Sequence, residues 1–149
     1  TLPIDYSKKT LDIGSLDVNG SPRKLFKNYT GTDMRKGKNV DVVCRGNELL
    51  KHFKESSFQN ILYLETMEHD SRFWETLKVI KKLLVDGGNL ILTVPGINFH
   101  KHEHPHDYFR FTKESLIELM NYVGLEVINI EEHENHCKEK HLFLIAMKC

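Results

Sequence analysis

Short apolar and β-branched runs recur along this chain at residues 10–13, 29–32, 40–44, 60–64 and 89–94, each bounded by polar or glycine-bearing stretches. Runs of that length and composition predict strands. Between the last two, Phe73, Leu77, Ile80 and Leu84 repeat at helical spacing, which predicts a helix over about 71–85 with Gly87 and Gly88 as its stop. Ser21 followed by Pro22 predicts a capped short helix through Leu25 and Phe26. Thr112 opens a second long helix carrying Leu116, Leu119, Met120 and Val123 before Gly124. Residues 125–130 and 141–147 are two more strands with no helix-length segment between them, so an antiparallel hairpin at one edge is expected. Strands and helices in alternation predict an α/β fold: a mostly parallel sheet, a C-terminal antiparallel hairpin, and helices on both faces.

Size and charge narrow the classes. At 149 residues, a single domain over 1–149 is expected, with 1–9 as an N-terminal extension ahead of the first strand. Lys plus Arg and Asp plus Glu both number 21, so no net field favours nucleic acid or an anionic membrane. No apolar run reaches the ~18 residues of a membrane span, and residues 1–10 lack the apolar core of a secretory signal. Three widely spaced cysteines do not suggest a disulfide framework, and a reducing cytoplasm is the expected location.

The unusual residues sit at the C-terminal ends of the strands, where open α/β sheets bind ligands. Gly14 follows the first strand, and Asp33 closes the second 19 positions later. That is near the ~20 residues that separate a glycine turn from a ribose-binding acid in a nucleotide-binding βαβ unit. Leu16 and Asn19 stand where a dinucleotide fingerprint needs its second and third glycines. Close approach to a pyrophosphate is thereby disfavoured, and an adenosine-type ligand without phosphates fits better than NAD.

Four blocks then come in order: LDIGS (11–15), TGTDMR (30–35), ETMEH (65–69) and LLVDGGNLILTVPG (83–96). With the strand pattern, they resemble the class I S-adenosylmethionine-dependent methyltransferases, in particular the small-domain group labelled type 11. A fifth block, HPHDYFRFT (104–112), resembles a loop in a subset of these enzymes. The resemblance implies a Rossmann-like methyltransferase fold and S-adenosyl-L-methionine as cofactor. It places Gly14 and its turn near the methionine part, Asp33 on the ribose hydroxyls, Met34 on the adenine and Glu65 near the methyl donor and its amino group, with Asp12 and Ser15 also binding the cofactor. Glu68 and His69 would close that loop. On the acceptor side it implies His69, His106, Asp107 and Tyr108 as catalytic candidates, with His104 and Arg110 as substrate contacts. Where the family often carries an acid after the third strand, this chain has Arg45, which offers five donors and no acceptor. Asn47, Glu48 or a backbone carbonyl are the alternatives there.

A small-molecule or sugar-like acceptor, methylated at oxygen or nitrogen, is the function this implies. Two alternatives stay open. One is a non-catalytic module that binds S-adenosylmethionine or S-adenosylhomocysteine and acts through a partner. With so little chain before the first strand to form a lid, a second subunit, as in a homodimer, is one way to complete the site. The other is a metal-binding protein using His100, His102, His104 and His106, or His133, His136, Cys137 and His141. We take both histidine sets as polar surface, with His100 and His102 in solvent, and assign no metal. Trp74 is expected in the core and Cys44 as a small buried apolar group.

Overall fold

The computed structural model describes residues 4–103 and 105–149. Its strands are β1 Lys9–Ile13, β2 Asn28–Asp33, β3 Val42–Val43, β4 Phe58–Leu64, β5 Leu84–Pro95, β6 Glu126–Glu134 and β7 Lys140–Met147; its α-helices are α1 Phe73–Leu83 and α2 Lys113–Val123. The strands form one sheet in the order β3-β2-β1-β4-β5-β7-β6. Pairs among β1 to β5 are parallel, while β7 runs antiparallel to both β5 and β6. The expected edge hairpin is present, with its second strand inserted against β5.

Strand alternation sorts the core into two faces. Ile61, Tyr63, Leu90, Leu92, Leu142 and Leu144 point to one face and pack with Leu77, Ile80 and Leu83 of α1 and Leu116, Met120 and Val123 of α2. Leu77, Ile80 and Leu83 are fully buried, and each such side chain contributes about 1.5–3 kcal/mol by leaving water. Leu62, Ile91 and Ile145 point to the other face and pack with Phe26, Ile4 and Tyr29. Helical cover is therefore unequal. One face carries both α-helices, and the other, among the described residues, carries the 3-10 turn at Pro22–Leu25. The segment before β1 helps cover that second face: Asn60 Nδ2 donates to the Asp5 carbonyl at 2.9 Å, and Lys27 N–H to that of Tyr6 at 3.0 Å.

Local chemistry explains the element ends. Ser21 Oγ accepts the Arg23 N–H at 3.1 Å and caps that turn. Thr112 and Ser115 form a reciprocal capping box on α2, and Gly124, at φ +77°, closes it in the left-handed region. Three expectations shift. Helix α1 ends at Leu83, because Leu84 turns extended and pairs with Phe58; Gly87 and Gly88 fall in an irregular stretch of β5 rather than acting as a helix stop. The third strand contracts to Val42–Val43, since Asp41 gives its carboxylate to the Gly31 N–H (2.8 Å) and to Arg23 (2.5 Å). Trp74 is 41% exposed, for Phe73 and Leu77 already take the inward face of α1. Cys44 is half-buried against the core. No helix among the described residues is long and apolar enough to cross a membrane.

Candidate active site

The C-terminal ends of β1, β2 and β4 define a crevice. Gly14 sits at φ +78°, and a Cβ there would lie 2.2 Å from Thr66 Oγ1, so only glycine fits the turn. The N–H groups of Gly14 and Ser15 both donate to the Thr32 carbonyl, at 2.8 and 2.9 Å. Ser15 Oγ donates to the Asn39 carbonyl at 2.9 Å, and Asn39 Nδ2 returns a bond of 2.9 Å to the Ser15 carbonyl. Ser15 is thus a clamp between β1 and the β2–β3 connection. Asp12 lies on the second face of the sheet, where its carboxylate accepts from the Tyr29 hydroxyl. Burial pushes it up to about 7.

Asp33 differs from both. Its side chain is 9% exposed. Oδ1 accepts the Arg35 N–H at 2.8 Å, and no described residue donates to Oδ2. A carboxylate oxygen left in this state at a strand end can accept ribose hydroxyls. Met34 beside it is half exposed. Glu65 adopts φ +45°, held by its N–H on the Thr93 carbonyl at 2.9 Å and on Thr93 Oγ1 at 3.1 Å. Its Oε1 meets His141 Nδ1 at 3.0 Å. Of the expected substitutes for the missing acid near Arg45, Asn47 donates to Glu75 at 2.7 Å and Glu48 holds Lys51 at 2.7 Å.

The loop between Gly96 and Phe111, whose ends are bridged, covers the other side. Its organiser is Arg110. Nε donates to the Phe99 carbonyl (3.1 Å), Nη1 to Asp107 Oδ1 (2.5 Å) and the Phe109 carbonyl (2.8 Å), and Nη2 to the His100 carbonyl (2.7 Å) and Asp107 Oδ2 (2.7 Å). All five guanidinium donors are engaged, so Arg110 is a staple of the loop and not the expected substrate contact. Asp107 is fully buried beneath it. The Arg110 hydrogen bonds, helped by the His102 N–H, hold its carboxyl well below the usual range. With both oxygens bonded to Arg110 and one also to the His102 N–H, Asp107 orders the loop in this structure.

Glu68 is fully buried on the 3-10 turn Met67–His69, and neither carboxylate oxygen has a hydrogen-bond partner among the described residues. Burial, with Glu65 and Asp107 nearby, pushes it above the usual carboxylate range. The His69 and His102 Nε2 atoms lie 3.4 and 3.5 Å from its Oε1. His102 is 22% exposed rather than in solvent. It is drawn inward because Asp107 Oδ2 accepts its N–H at 2.7 Å and Phe99 meets its ring edge-on at 5.4 Å. His100 is exposed, against Glu139. His106 is exposed, and its carbonyl faces His69 Nδ1. Tyr108 is 49% exposed, with its N–H on the Glu68 carbonyl at 2.8 Å. The expectation for His104 falls outside the described residues. His133 pairs with Glu131 and His141 with Glu65, so those two do not form the second histidine cluster.

Phe99, Lys101, Asp107, Tyr108, Phe109 and Arg110 line an open hollow of about 250 Å³. Phe99 had no sequence signal beyond being aromatic in a polar stretch, yet it stacks on His100 and meets His141 at 4.5 Å. The burial of Glu68 was equally hidden, since a glutamate before a helix reads as a cap.

Neither a family profile nor a curated protein matches the sequence. Solved structures do match. The chain is similar to 1,6-didemethyltoxoflavin-N1-methyltransferase of Burkholderia thailandensis, crystallised with 1,6-didemethyltoxoflavin and S-adenosylhomocysteine, at 19% identity over 95% of this chain and 71% of that one (TM-score 0.76). It is similar to a SAM-dependent methyltransferase of Methanosarcina mazei at 17% identity, over 97% and 94% (TM-score 0.71). It is also similar to the [4+2]-cyclase SpnF at 14% identity, over 97% and 76% (TM-score 0.78). At these identities the likeness is one of fold: the chain has the class I methyltransferase fold, as its strand order independently indicates. The cyclase among these neighbours is a reminder that the fold hosts other chemistry.

Proposed function

We propose that this protein is an S-adenosylmethionine-dependent methyltransferase acting on a small-molecule or sugar-like acceptor at oxygen or nitrogen. The observation that carries the reading is Asp33: a nearly buried carboxylate with one oxygen unclaimed, at the end of β2 and beside the Gly14 turn. Asp33 would accept the ribose hydroxyls, Met34 would cover the adenine, and Glu65 would face the amino group of the methionine part. S-adenosylmethionine supplies an already activated methyl group. What remains for the chain is to align the acceptor and exclude water, with a base only where a hydroxyl must lose its proton. Tyr108, which lines the hollow, would face the acceptor there. Calorimetric titration with S-adenosylmethionine and S-adenosylhomocysteine, with NAD as control, tests it. Micromolar binding of both and none of NAD supports the reading, and no binding of either overturns it.

A second reading, a domain that binds these ligands without efficient transfer, is favoured by one specific observation. Thr66 packs against Gly14, in the place where the methionine part would lie. Binding without turnover across an acceptor panel would select it.

A further inference from the structure

We propose that Glu68, His69 and His102 form a binding site for a single divalent transition-metal ion of the zinc class. One ligand atom from each residue can be chosen so that all three lie within 4.8 Å of one another. Glu68 Oε1 lies 3.4 Å from His69 Nε2 and 3.5 Å from His102 Nε2. Ligands at about 2.1 Å from a tetrahedral zinc stand about 3.4 Å apart, which is this spacing.

The orientation of each imidazole supports the same conclusion. His69 Nδ1 faces the His106 carbonyl. His102 Nδ1 lies 3.4 Å from both Asp107 Oδ2 and the His100 carbonyl. In each ring the partners of Nδ1 are oxygen acceptors, which assigns the N–H to Nδ1 and the lone pair to Nε2. Both lone pairs are then aimed at a carboxylate that is fully buried and has no hydrogen-bond donor. Three ligand atoms facing one point, one of them on a buried carboxylate with no hydrogen-bond partner among the described residues, describe a cation site. Imidazole nitrogen selects zinc, cobalt or nickel over magnesium and calcium. A carbonyl behind one histidine and a carboxylate behind the other is the arrangement that orients metal-bound histidines. Arg110 locks that carboxylate, so the loop staple also sets the ligand. Three protein ligands leave a fourth position for water or an oxygen of a bound molecule.

The test uses the whole chain without any cofactor, so its outcome is separate from that of the methyl-transfer reading. Cobalt(II) is titrated by visible absorption and then displaced by zinc. One equivalent with the intense d–d bands of a four-coordinate site is expected. His102→Gln and Glu68→Gln should each weaken zinc binding at least about 100-fold, while the surface double variant His133→Ala/His136→Ala leaves it unchanged. If Glu68→Gln does not fold, His102→Gln, on the loop, carries the comparison. No saturable uptake by the folded protein overturns the proposal, as does uptake that survives His102→Gln or disappears with the surface pair.

Discussion

The two banks of the crevice contain similar residues in opposite states. On the β1–β2 bank the polar groups have partners: Asp12 with Tyr29, and Ser15 with Asn39. On the β4–β5 bank the buried Glu68 has imidazole nitrogens before it and no donor. Buried polar groups are nearly always hydrogen-bonded, and the exceptions need a reason. Satisfied groups hold a scaffold together, whereas an unsatisfied carboxylate at a strand end marks a candidate binding place. By this criterion Asp33, with its free oxygen, is the one member of the first bank's expected set that belongs with the second.

The largest effect should come from the staple that keeps the second bank in place. Arg110→Ala removes five donors and leaves the buried Asp107 carboxylate with His102 as its one remaining partner among the described residues. Since Arg110 is itself 19% exposed, the expected loss lies at the lower end for a broken buried pair, about 3 kcal/mol in urea unfolding. Arg110→Lys should recover little, because an ammonium cannot reproduce the planar fork. Full recovery by lysine would show that charge alone holds the loop.

The next effect depends on pH. Asp12 is raised from 3.8 to about 7 in the folded protein by burial, above its unfolded value. Between about pH 4 and 7 the native state therefore keeps a proton that the unfolded chain has released. The stability this confers is fully present below about pH 4 and is lost as pH rises through 7. Asp12→Asn, neutral throughout, should gain on the parent as pH rises from 5 to 8, by at most about 2.6 kcal/mol. Urea midpoints at the two pH values measure it. An equal difference at both would mean that Tyr29 and Arg23 already compensate the charge.

Asp33→Ala should reduce S-adenosylhomocysteine affinity about 10- to 100-fold, the range for hydrogen bonds to a charged group, with the melting curve retained. Unchanged affinity in calorimetry would move Asp33 to the satisfied side of the comparison.

Legibility in the sequence follows the same division. The strands around the sheet centre were readable because burial on two faces leaves continuous apolar runs such as residues 89–94, and α2 because Thr112 and Gly124 bracket it chemically. The end of α1 was not, since Leu84 continues the helical spacing while its backbone joins β5. The turn at Gly14 and the strand end at Asp33 were legible from the pattern of runs and glycines. Arg110 and His102 were not: residues from 99 to 110 meet by loop closure, and no periodicity encodes which histidine turns inward.

The smallest effect concerns the hinge between the banks. Glu65, at φ +45°, is in the left-handed region, which costs a residue with a Cβ about 1 kcal/mol or more. Its N–H donates to both the carbonyl and Oγ1 of Thr93, and its carboxylate meets His141 Nδ1. Glycine at this position removes the backbone penalty but adds unfolded-chain entropy and gives up the His141 contact, which is partly exposed. Glu65→Gly should therefore raise stability by no more than about 0.5–1 kcal/mol while lowering cofactor affinity. Stability and binding would move in opposite directions, the signature of strain kept for a site. If both fall together, the His141 pair outweighs the strain, and Glu65 belongs to the scaffold with Asp12 and Ser15.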